Sequence, residues 1–280
     1  MYKGITNLII GKKSNLSQRL AKKLKNNVAL ISAEEILNDI TVLNSYVGQM
    51  INIIFNNFQT ASKLGDMSEP EHYIAYSIGA TSKVLEFAKE GALKINKIIY
   101  TSSSSVYGNN ILCKESDEVQ PTSLHASLKV ANEKLIAQYC NEHSINYTIA
   151  RIFNMYGGDD YFSVISKLLE CCQNGTPFTV ANHGSAIRDF IYIDDVVAIY
   201  EQLLQVENLP IVNLGTGEGI SIKNIIDFLK LHNIDLHVNS IVKEEIKMST
   251  ADNNLLLEQL AIKKFIKVDE YLLNEMRNYK

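Results

Sequence analysis

A chain of 280 residues with 46% apolar side chains can build one large α/β domain, or a cofactor domain with a smaller lobe. A net charge of −4 with no basic block argues against a nucleic-acid partner. No apolar run approaches a membrane span or signal-peptide core, and Cys113, Cys140, Cys171 and Cys172 lack metal-ligand spacing, so no membrane, no metal and reduced thiols in the cytoplasm are expected.

Short β-rich runs alternate with helical stretches. Ile5–Ile10 reads as a buried strand, and Leu16, Leu20 and Leu24 then recur at helical spacing. Val28–Ile31, Ile51–Phe55 and Ile98–Thr101 are further strands, with a helix expected over Tyr73–Glu90 before the last of them. A helix beginning near His125 continues through Asn132–Cys140, and Tyr147–Phe153 returns as a strand. This βαβ rhythm predicts a parallel doubly wound sheet with helices on both faces. Beyond Arg151 it loosens: helix over Phe162–Cys172, strand over Asp189–Ile193, strand over Ile211–Leu214, helix over Ile222–Leu231.

Five motifs follow one another along this pattern: Thr101-Ser-Ser-Ser-Ser-Val-Tyr-Gly108; His125 with Lys129; Arg151-Ile-Phe-Asn154-Met-Tyr-Gly157; Arg188-Asp-Phe-Ile-Tyr-Ile-Asp-Asp195; and Asn213-Leu-Gly-Thr-Gly217 followed by Ser221-Ile222. In this order and spacing they resemble the extended short-chain dehydrogenase/reductase family, in its nucleotide-sugar epimerase/dehydratase branch, over about residues 5 to 270. The resemblance implies a Rossmann-type sheet with a smaller interleaved C-terminal substrate lobe. The dinucleotide-binding domain is expected over 1–155 and a mainly substrate-binding lobe over 156–280, with about 186–200 returning to the main sheet.

At the cofactor end, Gly11-Lys-Lys-Ser14-Asn15-Leu16-Ser17 falls on the family's Gly-x-x-Gly-x-x-Gly turn, with Gly11 its one surviving glycine. Ser14 and Ser17 are small polar substitutes that lose easy access to positive φ. The resemblance gives cofactor contacts to Gly11, Ser14, Asn15, Leu16, Ser32, Asn57 and Lys129. Ser32 stands where the family carries its ribose-binding acid, with Glu34 and Glu35 just beyond, which favours NADP over NAD. Lys12 and Lys13 are candidates for a 2′-phosphate, or else solvated loop charges. Asn57-Phe-Gln59 matches the loop under the cofactor. The cofactor is expected to be NADP or NAD.

For the chemistry, the resemblance implies that Ser103 holds the reacting sugar oxygen and that Lys129 binds the nicotinamide ribose. The family's proton-exchanging tyrosine is replaced by His125. His125 and Lys129 are at i and i+4, on one helix face. An imidazole can serve as acid or base near neutral pH, and a nearby lysine lowers its pKa. Ser104, Tyr107 and Asn154 are implied substrate contacts, with Tyr107 also the runner-up proton donor and a structural place its alternative, and Arg188 is the fork on the substrate diphosphate; pairing of Arg188 with Asp194 or Asp195 is the alternative. Ser104-Ser105 occupies the place of the Asp-Glu pair of 4,6-dehydratases, so that elimination is disfavoured. The expectation is an NAD(P)-dependent 4-ketoreductase of a nucleotide-linked keto-deoxyhexose in surface-polysaccharide biosynthesis, acting as a homodimer through a contact that includes the helix His125–Cys140. The alternatives are a 4-epimerase and an inactive Rossmann protein that binds a dinucleotide or sugar nucleotide.

Overall fold

The computed structural model describes residues 4–57, 69–91 and 93–279. In chain order the elements are β1 (Thr6–Ile10), α1 (Asn15–Leu24), β2 (Val28–Ile31), α2 (Ala33–Asn38), β3 (Met50–Phe55), α3 (Pro70–Ile74), α4 (Ala80–Lys89), β4 (Lys94–Ser103), β5 (Leu112–Cys113), α5 (Leu124–Glu142), β6 (Asn146–Ile152), β7 (Asn154–Tyr156), α6 (Val164–Asn174) and β8 (Phe178–Ala181). They continue with β9 (Ile187–Tyr192), α7 (Ile193–Leu203), β10 (Ile211–Leu214), β11 (Gly219–Ser221), α8 (Ile222–Leu231), β12 (Val238–Ile241), β13 (Met248–Ala251), α9 (Asn254–Gln259) and α10 (Val268–Tyr279).

The chain divides into two compact units, more finely interleaved than the split at 155 expected from sequence. The first comprises residues 1–106, 121–151 and 197–212, and the second 107–120, 152–196 and 213–280. The segment that returns to the first unit is therefore 197–212 rather than 186–200. The reason is pairing: β9 hydrogen-bonds to β7, β11 and β13, all strands of the second unit.

The main sheet runs β10-β6-β4-β3-β1-β2, with β1–β2, β1–β3 and β3–β4 parallel. Counted along the sheet from β2, this is the 2-1-3-4-5-6 order, so the direction of winding reverses between β1 and β3. Ligand crevices in open α/β sheets lie at such a reversal, beyond the carboxyl ends of the strands. Gly11 follows β1 and Asn56-Asn57 follows β3, which puts the predicted cofactor turn at that place. The strands are apolar on both faces: Leu8, Ile10, Ile53, Phe55, Ile98 and Tyr100 lie in one buried cluster on one face, and the alternate residues Ile9, Ile54 and Ile99 are fully buried on the other.

The helix expected over Tyr73–Glu90 is broken. Ala75–Gly79 forms a π-helical turn between α3 and α4. Such a turn displaces backbone carbonyls from regular pairing, and here Asn57 takes them up: its Nδ2 donates to Tyr76 O at 3.1 Å and to Ser77 O at 3.0 Å.

In the second unit, β5, β7, β9, β11 and β13 form one sheet and β8 pairs with β12. Its core gathers Tyr156, Phe178, Phe190, Ile225, Leu229 and Leu272.

Candidate active site

The cofactor turn is built from serines tied by an asparagine. Ser14 caps α1 by accepting from Ser17 N at 3.2 Å. Asn56, buried at the end of β3, donates through Nδ2 to Ser14 Oγ at 2.6 Å and to Ser17 Oγ at 2.8 Å. Gly11 survives for a steric reason: its φ is +116°, and a Cβ there would lie 2.1 Å from the carbonyl oxygen of Asn56. Asn15 and Leu16 form the first turn of α1, which holds no acidic residue.

Ser32 does not stand as a free ribose ligand. It is the N-cap of α2 in a full capping box, its Oγ accepting from Glu35 N and its own N–H donating to Glu35. Lys12 pairs with Glu35 at 3.6 Å and Lys13 with Glu34 at 3.9 Å. All four side chains are substantially exposed, so these pairs are weak and exchangeable. The donor set fits a dinucleotide pyrophosphate: helix-start amides with no carboxylate in the first turn, flanked by two exposed lysines. Asn57 braces the π turn instead of lying open, and Phe58 and Gln59 fall outside the described residues.

The acid–base end lies in the same unit. Ser103 ends β4, half-buried, and its Oγ accepts from Ser105 N at 3.2 Å. Ser123 caps α5, placing His125 in the first turn and Lys129 one turn later. Lys129 is buried and donates to Thr101 O at 2.6 Å, which ties α5 to the end of β4 beside Ser103. Burial drives its pKa well below the usual lysine value, and the nearby Glu133 carboxylate opposes that shift. Glu133 itself forms a buried pair with Arg151: Nε to Oε1 at 3.1 Å and Nη2 to Oε2 at 2.7 Å, with Ser102 Oγ donating to Oε1.

Burial first, and the Lys129 charge second, push the His125 pKa down to about 4. At neutral pH the imidazole is therefore neutral, with one N–H to give. Its Nδ1 lies 3.2 Å from the hydroxyl of Tyr73, a buried residue that sequence reasoning passed over.

The substrate-end residues belong to the second unit. Arg188 stays half-buried; its Nη1 donates to Ile187 O at 2.9 Å and its Nη2 meets Glu245 at 3.4 Å. Its carboxylate partner is thus Glu245, not Asp194 or Asp195. Asn154 Nδ2 donates to Asp189 O at 3.1 Å. Tyr107 contradicts its expected substrate contact: it is fully buried, and its hydroxyl donates to Asn213 Oδ1 at 2.6 Å, so it locks a core rather than facing a ligand. Ser104 opens the short 3₁₀ turn Ser104–Tyr107. Asp189, unremarked inside the Arg-Asp-Phe motif, accepts from Thr216 N, Thr216 Oγ1, Gly217 N and Ala251 N. Among the described residues no group of three or more His, Cys, Asp or Glu side chains is placed to hold a metal ion, and no helix is long and apolar enough to cross a membrane.

Residues 6–215 match the model of the NAD dependent epimerase/dehydratase family. An uncharacterised protein of Methanocaldococcus jannaschii is 33% identical over 173 residues, 59% of this chain and 51% of that one. UDP-glucuronate 4-epimerase 4 of Arabidopsis thaliana is 34% identical over 141 residues, 47% of this chain and 31% of that one. The matched region thus spans about half or less of these relatives' length. The crystal structure of UDP-glucuronic acid 4-epimerase from Bacillus cereus, in complex with UDP-glucuronic acid and NAD, superposes with a TM-score of 0.84 over 98% of each chain, at 21% identity.

Proposed function

The chain belongs to the NAD dependent epimerase/dehydratase family, and from that premise we propose that it is an NAD(P)-dependent 4-ketoreductase acting on a nucleotide-linked keto-deoxyhexose. The observation that carries this reading is His125, a half-buried neutral imidazole in the position the family gives to tyrosine, one turn before Lys129. A bound nicotinamide supplies hydride to the sugar carbonyl carbon. Ser103 holds the keto oxygen, and the His125 N–H hydrogen-bonds to it as negative charge develops; water supplies the proton that completes the alcohol, and the imidazole stays neutral. A neutral imidazole donor is suited to polarising a carbonyl. Lys129 orients the cofactor ribose, and Arg188 exchanges Glu245 for the substrate diphosphate.

The same chemistry weighs against starting from the alcohol. An imidazole whose conjugate acid has a pKa of about 4 is a weak base, poorly suited to removing a hydroxyl proton. Reduction needs the donor half of the cycle alone. Dehydration by the paired-acid route is disfavoured, since Ser104 and Ser105 stand where the two acids would be. A 4-epimerase is the second reading, favoured by the named function of the Arabidopsis relative. A role in surface-polysaccharide biosynthesis, in the cytoplasm and as a homodimer, follows from the reductase reading.

The test is to mix the purified chain with NADPH or NADH and CDP-, dTDP-, GDP- and UDP-linked 4-keto-6-deoxyhexoses, following the nicotinamide absorbance. Stoichiometric oxidation with one nucleotide series is the expected result. Interconversion of C4 epimers without net cofactor consumption would establish the epimerase instead. Binding without either reaction would leave a sugar-nucleotide-binding protein.

A further inference from the structure

Tyr73 lies in the short helix α3, 52 residues before His125 in sequence, and its hydroxyl meets Nδ1 of that imidazole at 3.2 Å. We infer that Tyr73 is a positioning residue that holds His125 as its Nε2–H tautomer, so that the imidazole rests as a hydrogen-bond donor on the nitrogen turned away from Tyr73. The consequence for turnover depends on the proposed role of His125 as hydrogen-bond donor to the reacting oxygen; the tautomer itself does not.

The direction of the hydrogen bond follows from counting donors. Tyr73 is 3% exposed, and its phenolic proton must be placed inside the protein. Among the described residues the hydrogen-bond partner of that hydroxyl is Nδ1 of His125. A buried hydroxyl left without an acceptor is destabilising. If the phenol donates, Nδ1 accepts, and a neutral imidazole accepting at Nδ1 carries its hydrogen on Nε2. The reverse arrangement strands the phenolic proton and leaves Nε2 with no hydrogen to give. Both groups are neutral in the working range, because burial raises the phenol pKa and lowers that of the imidazole.

The phenol is also held in place. The π turn that follows α3 is braced by Asn57, and its Ser77 hydroxyl accepts from Asn132 on α5, the helix that bears His125. The break in the helix and the Tyr73–His125 contact therefore involve the same pair of elements. A tautomer fixed in this way suits a reaction in which the sugar oxygen gains negative charge. It works against one that begins by removing a proton.

The experiment is long-range ¹H–¹⁵N correlation spectroscopy on the intact chain labelled with ¹⁵N-histidine. The six histidines are few enough to resolve, and His125 is assigned by its loss in His125→Gln. The expected result is a single Nε2–H tautomer for His125 in the wild type, and a mixture of tautomers in Tyr73→Phe. An Nδ1–H tautomer or a mixture in the wild type would overturn the inference, whether or not the variant folds. So would an unchanged His125 pattern in a folded Tyr73→Phe. With a reducible substrate, Tyr73→Phe should lower kcat about tenfold at an unchanged KM. Absence of turnover in a protein showing the fixed tautomer would count against the reductase reading and leave the role of Tyr73 standing.

Discussion

Two glycine-bearing turns that follow strands, one in each unit, are held with opposite chemistry. The turn after β1 has lost two of its three expected glycines, and the neutral Asn56 amide donates to the two serines that replaced them. The turn after β10 keeps Gly215 and Gly217, and the buried Asp189 carboxylate accepts four hydrogen bonds around it. Each retained glycine examined in this pair has a contact that explains it. A Cβ on Gly11 would strike the Asn56 carbonyl, and one on Gly215 would lie 2.6 Å from Ala251 Cβ and 2.7 Å from Asp189 Oδ2. Where no backbone crowds in, a serine serves, provided its hydroxyl finds a partner. A glycine-poor turn is thus a rebuilt turn, and its degraded motif is weak evidence for lost function.

The comparison can be broken most severely at Asp189. Asp189→Ala strands several buried donors and should lower unfolding stability by about 3–5 kcal/mol, read from urea denaturation. Gly11→Ala comes next: the clash at positive φ should cost about 2–4 kcal/mol by the same assay and should abolish dinucleotide binding measured by calorimetry. Asn56→Ala should cost about 1–3 kcal/mol, since it leaves the buried Ser17 hydroxyl without its donor. The comparison is sharpened by Ser14→Gly, which retains a good cap residue and should change stability by only about 0.5 kcal/mol. An Asn56→Ala penalty undiminished in a Ser14→Gly, Ser17→Gly background would show that the asparagine stabilises something other than the serines.

The parts of this architecture that were legible in the sequence depend on local pattern. Apolar runs gave the strands of the main sheet, and the i, i+4 spacing put His125 and Lys129 on one face of α5. Tertiary pairings were not legible. Asn56 meets Ser17 from 39 residues away and Tyr73 meets His125 from 52 away, and neither residue type advertises a partner. The π turn at Ala75–Gly79 was not legible although Gly79 closes it, and its carbonyls are braced by Asn57, a residue expected to serve the cofactor. Of the structural and substrate-contact places open to Tyr107 the structure takes the first, because a motif gives a residue's place but not the direction of its hydroxyl, which Asn213 captures. The partner of Arg188, Glu245, 57 residues on, was not visible from its neighbours.

The central claim is that the neutral His125 imidazole, in the place of tyrosine, hydrogen-bonds the reacting oxygen through its N–H as negative charge develops, while water supplies the proton that completes the alcohol. The most direct measurement is the single-turnover reduction rate as a function of pH for the wild type and His125→Gln. Because the His125 pKa lies near 4, the wild-type rate should be flat from about pH 5.5 to about pH 8, and His125→Gln should lose about 10²–10³-fold throughout. A wild-type rate that falls with a midpoint near the ordinary imidazole value of about 6.5, or a His125→Gln variant that keeps the wild-type rate, would contradict the account.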